Sequence, residues 1–345
     1  MIGGQSPDTR RGRLLLSRNS RVASTTGAVA AITIAAVALA ARTFPLPSQV
    51  ALLAAVSAPF AVLSALTGLL LSAATRRIIL SLVAALVLLG LLAVQIPWYY
   101  SGHPTGVGEH IEVRVLASNL RKGQADPASF VALATDHADV ITVSELTPEI
   151  VQRFSRAGLQ QTFPHSVLDP RPGAGGIGLF SRYPFVTGAS PGIPNISAAA
   201  AELDVPGVRF NPILASVHVI SPLAGDTDAF TQWRDGITAT KAHLAQLTQA
   251  AEPGAVIVGG DFNSTPDMRQ FRDLLTDGYR DAVQQLGSGL SPTFPANRWM
   301  PPLITIDHIL TRNAAASSVK TITIPGSDHR ALLATVRVPL DPTAS

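Results

Sequence analysis

Over the first hundred residues the apolar positions run almost unbroken. Three stretches, residues 22–41, 50–74 and 78–96, carry no charged residue. Each is close to the ~20 apolar residues that a helix needs to cross a bilayer. The pattern therefore predicts three transmembrane helices. Two alternatives stay open. The first run ends in "ALAA" at 38–41, a small-residue pattern that also suits signal-peptide cleavage. The runs also suit a buried hairpin of soluble helices.

Beyond residue 112 the pattern shortens. "VRVLASNL" (113–120), "DVITVSEL" (139–146), "GIGLFSRYP" (176–184), "AVIVGGDFN" (255–263), "LITIDHIL" (303–310), "VKTITIPGSDH" (319–329) and "RALLATVRV" (330–338) are short β-branched runs and predict strands. Residues 199–220 predict two strands joined at Pro206–Gly207. Between them lie helix patterns. Residues 126–138 open on Asp126 and Pro127, and residues 147–158 open on Thr147 and Pro148 and stop at Gly158. Residues 229–250 and 267–278 complete the set. Alternating strands and helices predict an α/β fold, two sheets face to face with helices outside. Residues 98–112 read as an interface and linker, and residues 113–340 as the folded domain.

Charge divides the chain the same way. Residues 1–100 hold eight Arg and one Asp, a net of +7. Residues 101–345 hold 18 Arg or Lys against 22 Asp or Glu, a net of −4. The basic character belongs to the apolar part, and the folded domain has no general positive field to attract a polyanion. Arg10, Arg11, Arg13, Arg18 and Arg21 precede the first run, Arg76 and Arg77 lie between the second and third, and only Arg42 lies between the first and second. The positive-inside rule then predicts a cytoplasmic N-terminus and an extracytoplasmic domain. Trp98, Tyr99 and Tyr100 suit an aromatic belt at the outer interface, and Trp299 suits contact with lipid or substrate. The chain has no cysteine, which excludes disulfides, thiolate catalysis and Cys-ligated zinc.

Polar residues gather at the strand ends: Asn119, Glu145, His218, Asp261, Asn263, Asp307, Asp328 and His329. Oxygen and imidazole donors at so many strand ends predict one rim of a sheet pair. Asp261 and Asn263 are two apart, and an extended strand would turn both to the same side. An Asx-turn closing the strand is the structural alternative. Gly259 and Gly260 suit a place where backbones pass closely. His308 would lie on the opposite strand face from Asp307.

Taken in order, "SNL", "SEL", "GLFSRYP", "VHV", "GGDFNSTP", "IDHIL" and "GSDHRALLATV" resemble the motifs of the endonuclease/exonuclease/phosphatase superfamily. The resemblance covers about residues 113–338. It implies the DNase I-like fold, a four-layer α-β-β-α sandwich, and a metal-dependent phosphoesterase. Apolar runs ahead of such a domain are similar to membrane-bound bacterial members, including those associated with teicoplanin resistance in actinomycetes. The resemblance places Asn119, Glu145 and Asp328 at the metal. It gives His218, Asp261, Asn263, Asp307 and His329 catalytic positions, with Asp307 pairing His329, and leaves Arg182 either to hold phosphate or to pair with a carboxylate. Oxygen ligands suit Mg²⁺, with Mn²⁺ and Ca²⁺ open. An anchored acidic domain points to a membrane-borne phosphate ester, a phospholipid or lipid-linked phosphate. A nuclease and a catalytically inactive binding domain remain the rival readings.

Overall fold

The computed structural model describes residues 18–100, 108–225, 227–296 and 301–344. Arg10, Arg11, Arg13, linker residues 101–107 and Trp299 lie outside the described residues. The three apolar runs fold as four helices: α1 (Arg18–Thr43), α2 (Gln49–Val56), α3 (Ala58–Ala74) and α4 (Ile78–Tyr99). By length and composition α1 and α4 can each cross a membrane. The middle run departs from the expected single span. It bends by 72° between α2 and α3. Pro59 explains the break, because it lacks an N–H and its ring clashes with the carbonyl four residues back. The expected three continuous spans are thus two, plus a bent pair.

The helices do not stand apart from the rest. Leu46, Leu52 and Ala55, together with Trp98 of α4, share a core with Trp233, Phe262, Met268 and Phe271 of the α/β part. Trp98 is therefore buried against protein, a correction to the expected aromatic belt, while Tyr99 and Tyr100 are exposed. Arg42 Nε donates to Asp267 Oδ1 at 2.7 Å, and Gln95 Nε2 donates to the same oxygen at 2.8 Å. Both Arg42 and Asp267 are buried. α1 and α4 so converge on one carboxylate of the α/β part.

That part contains β1 (His110–Asn119), α5 (Pro127–His137), β2 (Val140–Ser144), α6 (Pro148–Arg156), α7 (Leu159–Thr162), β3 (His165–Asp169), β4 (Ile177–Ser181), β5 (Phe185–Ala189), β6 (Ile196–Leu203) and β7 (Ile213–Val219). It continues with α8 (Ala229–Ala251), β8 (Val256–Asp261), α9 (Arg269–Arg272), β9 (Arg280–Asp281), α10 (Ala282–Gln285), β10 (Asp307–Arg312), β11 (Ala315–Thr323) and β12 (Arg330–Pro339). Two six-stranded sheets form, ordered β11-β12-β1-β2-β4-β3 and β5-β6-β7-β8-β10-β9. Their inner faces share one core of small and branched residues, among them Val115, Ala117, Ala199, Leu214, Ile257 and Leu332. α5, α6 and α7 cover the first sheet's outer face, and α8 with α9 covers the second's. The expected sandwich is present.

The caps work as the sequence implies. Asp126 accepts from the Ser129 N–H at 2.8 Å and Thr147 from the Ile150 N–H at 3.3 Å, each closing a free donor of the first turn. The expected helix at 267–278 shrinks to the single turn α9. Its first residue, Asp267, is drawn instead onto Arg42. β3 and β5 form where the sequence pattern marks no strand.

Breaking a buried ion pair by removing one partner leaves the other charge unmatched, at a cost of about 3–5 kcal/mol. Arg42→Ala should therefore lower the thermal midpoint of the full chain in detergent clearly, whereas Arg76→Ala should not. Equal midpoints for the two variants would refute the pairing.

Candidate active site

β1 and β2 are parallel with Asn119 beside Ser144, and β7 and β8 are parallel with His218 beside Asp261. β10 runs antiparallel to β8 with Asp307 opposite Asp261. Four strand ends and one strand start thus deliver their polar residues to one rim. Glycines permit the close approach. A Cβ on Gly259 would collide with Thr142 Oγ1, and one on Gly260, at φ +153°, with the Val217 carbonyl. Phe262 turns into the core, as expected.

Asp261 lies at the centre and is buried. Its Oδ2 accepts from Asn119 Nδ2 at 2.9 Å, and its Oδ1 from the Asn263 N–H at 2.8 Å. His218 Nε2 and His329 Nε2 each stand 3.8 Å from Oδ2. That is too long for a direct hydrogen bond, so each ring nitrogen can still engage a third atom between them. Burial, then the adjacent Asp307, pushes the Asp261 carboxyl above its ordinary value. A buried acid of this kind is suited to take a proton near neutral pH.

His329 Nδ1 pairs with Asp307 Oδ2 at 2.8 Å, and its ring packs on Phe294 with centroids 5.0 Å apart. Burial alone would disfavour the imidazolium, but Asp307 and Asp261 outweigh it and push His329 up to about 10. His218 Nδ1 is 3.1 Å from the Ala174 carbonyl, which leaves Nε2 directed at the rim. Asn263 sits at φ +45° and not on an extended strand. Its N–H closes an Asx-turn on Asp261, and one amide proton goes to the Val219 carbonyl at 2.9 Å. The turn and the polar rim are thus the same feature.

Glu145 follows β2 at φ +56° and is partly exposed. Its oxygens accept from Asn119 Nδ2 at 3.2 Å and from the Lys122 N–H at 2.6 Å. Each carboxylate oxygen keeps a further lone pair. Asp328 is also partly exposed and faces Arg121 Nε at 3.8 Å. The tightest group of possible ligand atoms is a different one, Asp261, Asp307 and His329, all within 4.8 Å of one another. Asp307 Oδ1 is buried and meets no donor among the described residues. Oxygen donors with open lone pairs at one rim fit a hard divalent ion.

Arg182 is a correction. β4 runs antiparallel to β2, so Ser181 pairs with Val140 and not with Ser144. Arg182 therefore lies at the far end of the sheet, roughly 13 Å of strand from the rim. There its guanidinium binds the Ala138 and Thr135 carbonyls and covers Phe163. His308 is structural, as its strand face implies. Its nitrogens face Asp281 at 2.7 Å and the Ser264 carbonyl at 2.9 Å, and its ring stacks on Phe271.

Sequence reasoning missed several supports. Ser327 Oγ donates to the Asn119 carbonyl and accepts the His329 N–H, tying the end of β1 to the residue that precedes β12 in the same sheet. Thr293 Oγ1 holds the Asp307 N–H. Trp233 Nε1 donates to Ser264 Oγ under the loop after Asp261. Ser327 lies inside "GSDHR", but no spacing marks Thr293 or Phe294.

A two-sheet α/β sandwich with acids and imidazoles on one rim defines the DNase I-like class of fold. Residues 105–329 match the model of the Endonuclease/Exonuclease/phosphatase family, and the chain belongs to that family. Its members are metal-dependent phosphoester hydrolases, and this chain is an enzyme of that class. No curated protein sequence matches it. Among solved structures it is similar to TDP2 of D. rerio complexed with a single-strand DNA product, at 19% identity and TM-score 0.53, covering 65% of this chain and 98% of that one. It is also similar to an endonuclease/exonuclease/phosphatase family protein from Bacteroides thetaiotaomicron, at 12% and 0.53, covering 67% and 99%. A third is the 3' phosphatase NExo from Neisseria bound to a product DNA hairpin, at 19% and 0.51, covering 64% and 98%.

Two predictions follow from the Asp307–His329 pair. Asp307→Ala and His329→Ala should each lower kcat by roughly 10²-fold or more on bis(p-nitrophenyl) phosphate. The double variant should be little worse, because residues acting as a unit are non-additive. His308→Ala should lower the thermal midpoint more than kcat. Multiplicative loss in the double variant would show that the two act separately.

The second concerns pH. His329 has its folded value raised from 6.5 to about 10. Its contribution to stability is therefore complete below about 6.5 and is lost as pH rises through about 10. An NMR titration in EDTA should find the His329 ring still protonated at pH 8. A midpoint near 6.5 would contradict the assignment.

Proposed function

We propose that the chain is a Mg²⁺-dependent phosphoesterase of the outer membrane–water interface, hydrolysing a phosphate ester carried in the bilayer. A phospholipid or a lipid-linked phosphate is the substrate class. The carrying observation is the junction at Asp267. The ends of two apolar helices close on a residue six positions after Asp261. The catalytic rim is thereby held beside the helix ends. The arginine asymmetry supports an N-terminus inside and the α/β domain outside. The apolar helices ahead of such a domain also fit the teicoplanin-resistance-associated type.

In this reading Glu145 and the Asn119 side-chain carbonyl oxygen, which also accepts the Arg121 N–H, would hold the ion, and Asp328 would add charge. A hard cation there neutralises the anionic phosphoryl oxygens. Asp261 orients an attacking water and takes its proton. His329, kept protonated by Asp307, donates to a phosphoryl oxygen, and the free amide proton of Asn263 does the same. His218 Nε2 supplies the proton that the leaving oxygen needs.

A nuclease is the second reading, favoured by the DNA in the two similar structures named above. The net charge of −4 over residues 101–345 weighs against it.

The full chain in nanodiscs should be assayed with Mg²⁺ on vesicles carrying phosphatidic acid or a polyprenyl diphosphate, and on plasmid DNA. The vesicle esters should turn over faster than DNA, EDTA should abolish turnover, and Glu145→Gln should lower kcat by roughly 10²-fold or more. Full activity in EDTA, or faster cleavage of plasmid, would sink the reading. A periplasmic-type reporter fused after Ser345 should be active; a silent one would reverse the topology.

A further inference from the structure

α2 has an apolar inner face and an apolar outer face. Leu52 and Ala55 face the α/β core. Val50 and Leu53 point away and are 77% and 53% exposed. Among its eight residues only Gln49 is polar, and its Nε2 donates to the Pro222 carbonyl at 3.1 Å. α2 therefore presents no polar face to water. A helix apolar on all sides belongs between two apolar surroundings. Protein supplies the first on the Leu52 side.

The chain's own course identifies the second. α2 is entered from α1, apolar between Val22 and Ala41, and left into the apolar α3, with a 72° bend between α2 and α3. Phe44, at the end of α1, is 63% exposed. The bond from Gln49 ties α2 to the turn after β7, where Leu223 is 56% exposed. Leu223 stands five residues after His218. Phe44, Val50, Leu53 and Leu223 are thus exposed apolar side chains on two segments, the end of α1 through α2 and the turn after β7, that the Gln49 bond holds together.

We propose that α2 and the 220–225 turn are a surface that rests in the outer leaflet of the bilayer, at the level of the lipid headgroups. This rests on the membrane reading above. An interfacial helix sinks about 5–10 Å into the boundary between headgroups and acyl chains. The occupant of the surface is lipid, continuous with that around α1 and α4. The surface fixes the α/β domain in one orientation on the membrane. It sets His218 and Asp261 at headgroup height, so that a lipid phosphate reaches them without leaving the bilayer.

The absence of cysteine makes single-cysteine labelling clean. Val50→Cys, Leu223→Cys and a control, Asn313→Cys, should each carry an environment-sensitive fluorophore on the full chain in nanodiscs. Asn313 is exposed just beyond the far end of β10. Brominated lipid should quench the labels at 50 and 223, and aqueous iodide the label at 313. Iodide quenching at 50 and 223 as strong as at 313 would overturn the proposal. Shielding from both quenchers would assign the surface to a second copy of the chain and overturn it equally. In a functional arm, Val50→Glu and Leu223→Glu should lower turnover of vesicle-borne phosphatidic acid roughly tenfold, the scale of moving one buried aliphatic side chain into water. Turnover of soluble bis(p-nitrophenyl) phosphate should hold. Equal loss on both esters would count against a membrane-resting role. Lipid quenching at 50 and 223 with no turnover of any vesicle ester would leave this surface standing and remove the membrane-borne substrate.

Discussion

A buried carboxylate at Asp261 is the constraint on which the rest of this rim depends. A charge removed from water is costly unless hydrogen bonds and opposite charge surround it. Here the partners come from both sheets: Asn119 and His329, at the end of β1 and just before β12, from the first, and His218 and the Asn263 backbone from the second. The sheets must therefore pack in one register. Gly259 and Gly260 make that register reachable by leaving room where side chains would collide. Ser327 then holds the first sheet's two contributions in place, bonding the end of β1 to the His329 backbone just before β12. Stability and chemistry so share the same bonds.

A second buried charge lies six residues further along. Asp267 receives Arg42 and Gln95 from two separate helices, and Arg272 binds the Arg42 carbonyl. Such pairs contribute little net stability compared with apolar packing, but they punish every wrong arrangement. That matters for a domain joined to helices through a stretch as short as residues 100–109. Apolar contact among Leu46, Leu52 and Trp233 would tolerate some sliding. The bonds on one Asp267 oxygen do not.

Much of this was legible in the sequence, and the reasons differ by level. Caps at Asp126 and Thr147 are local chemistry and read directly. The rim residues read through their position at the ends of apolar runs, because a strand end is where a polar side chain can leave the core. Long-range order was less legible. Arg182 looks like a rim residue until the antiparallel direction of β4 is known. Trp98 looks like an interface aromatic until the α/β domain closes over it. The collapse of 267–278 to one turn follows from the tertiary contact of Asp267 with Arg42, whereas the bend before α3 has a local cause in Pro59. Thr293 and Phe294 act through loops whose path no periodicity marks.

The charge balance supplies the last step. An acidic domain facing an anionic ester gains nothing from long-range steering, which works only between opposite charges. The rim offers local positive charge at His329 and oxygen donors that would hold a metal, but both act only at contact. Encounter must then be favoured by some other means. On the proposed membrane reading, confinement to a bilayer does this, because enzyme and substrate would share one plane and the effective concentration would rise without any attractive field. A rim held beside helix ends suits that economy of means. On that reading, the same acidic surface that would slow the approach of a free polyanion would be no obstacle to a phosphate delivered by the bilayer.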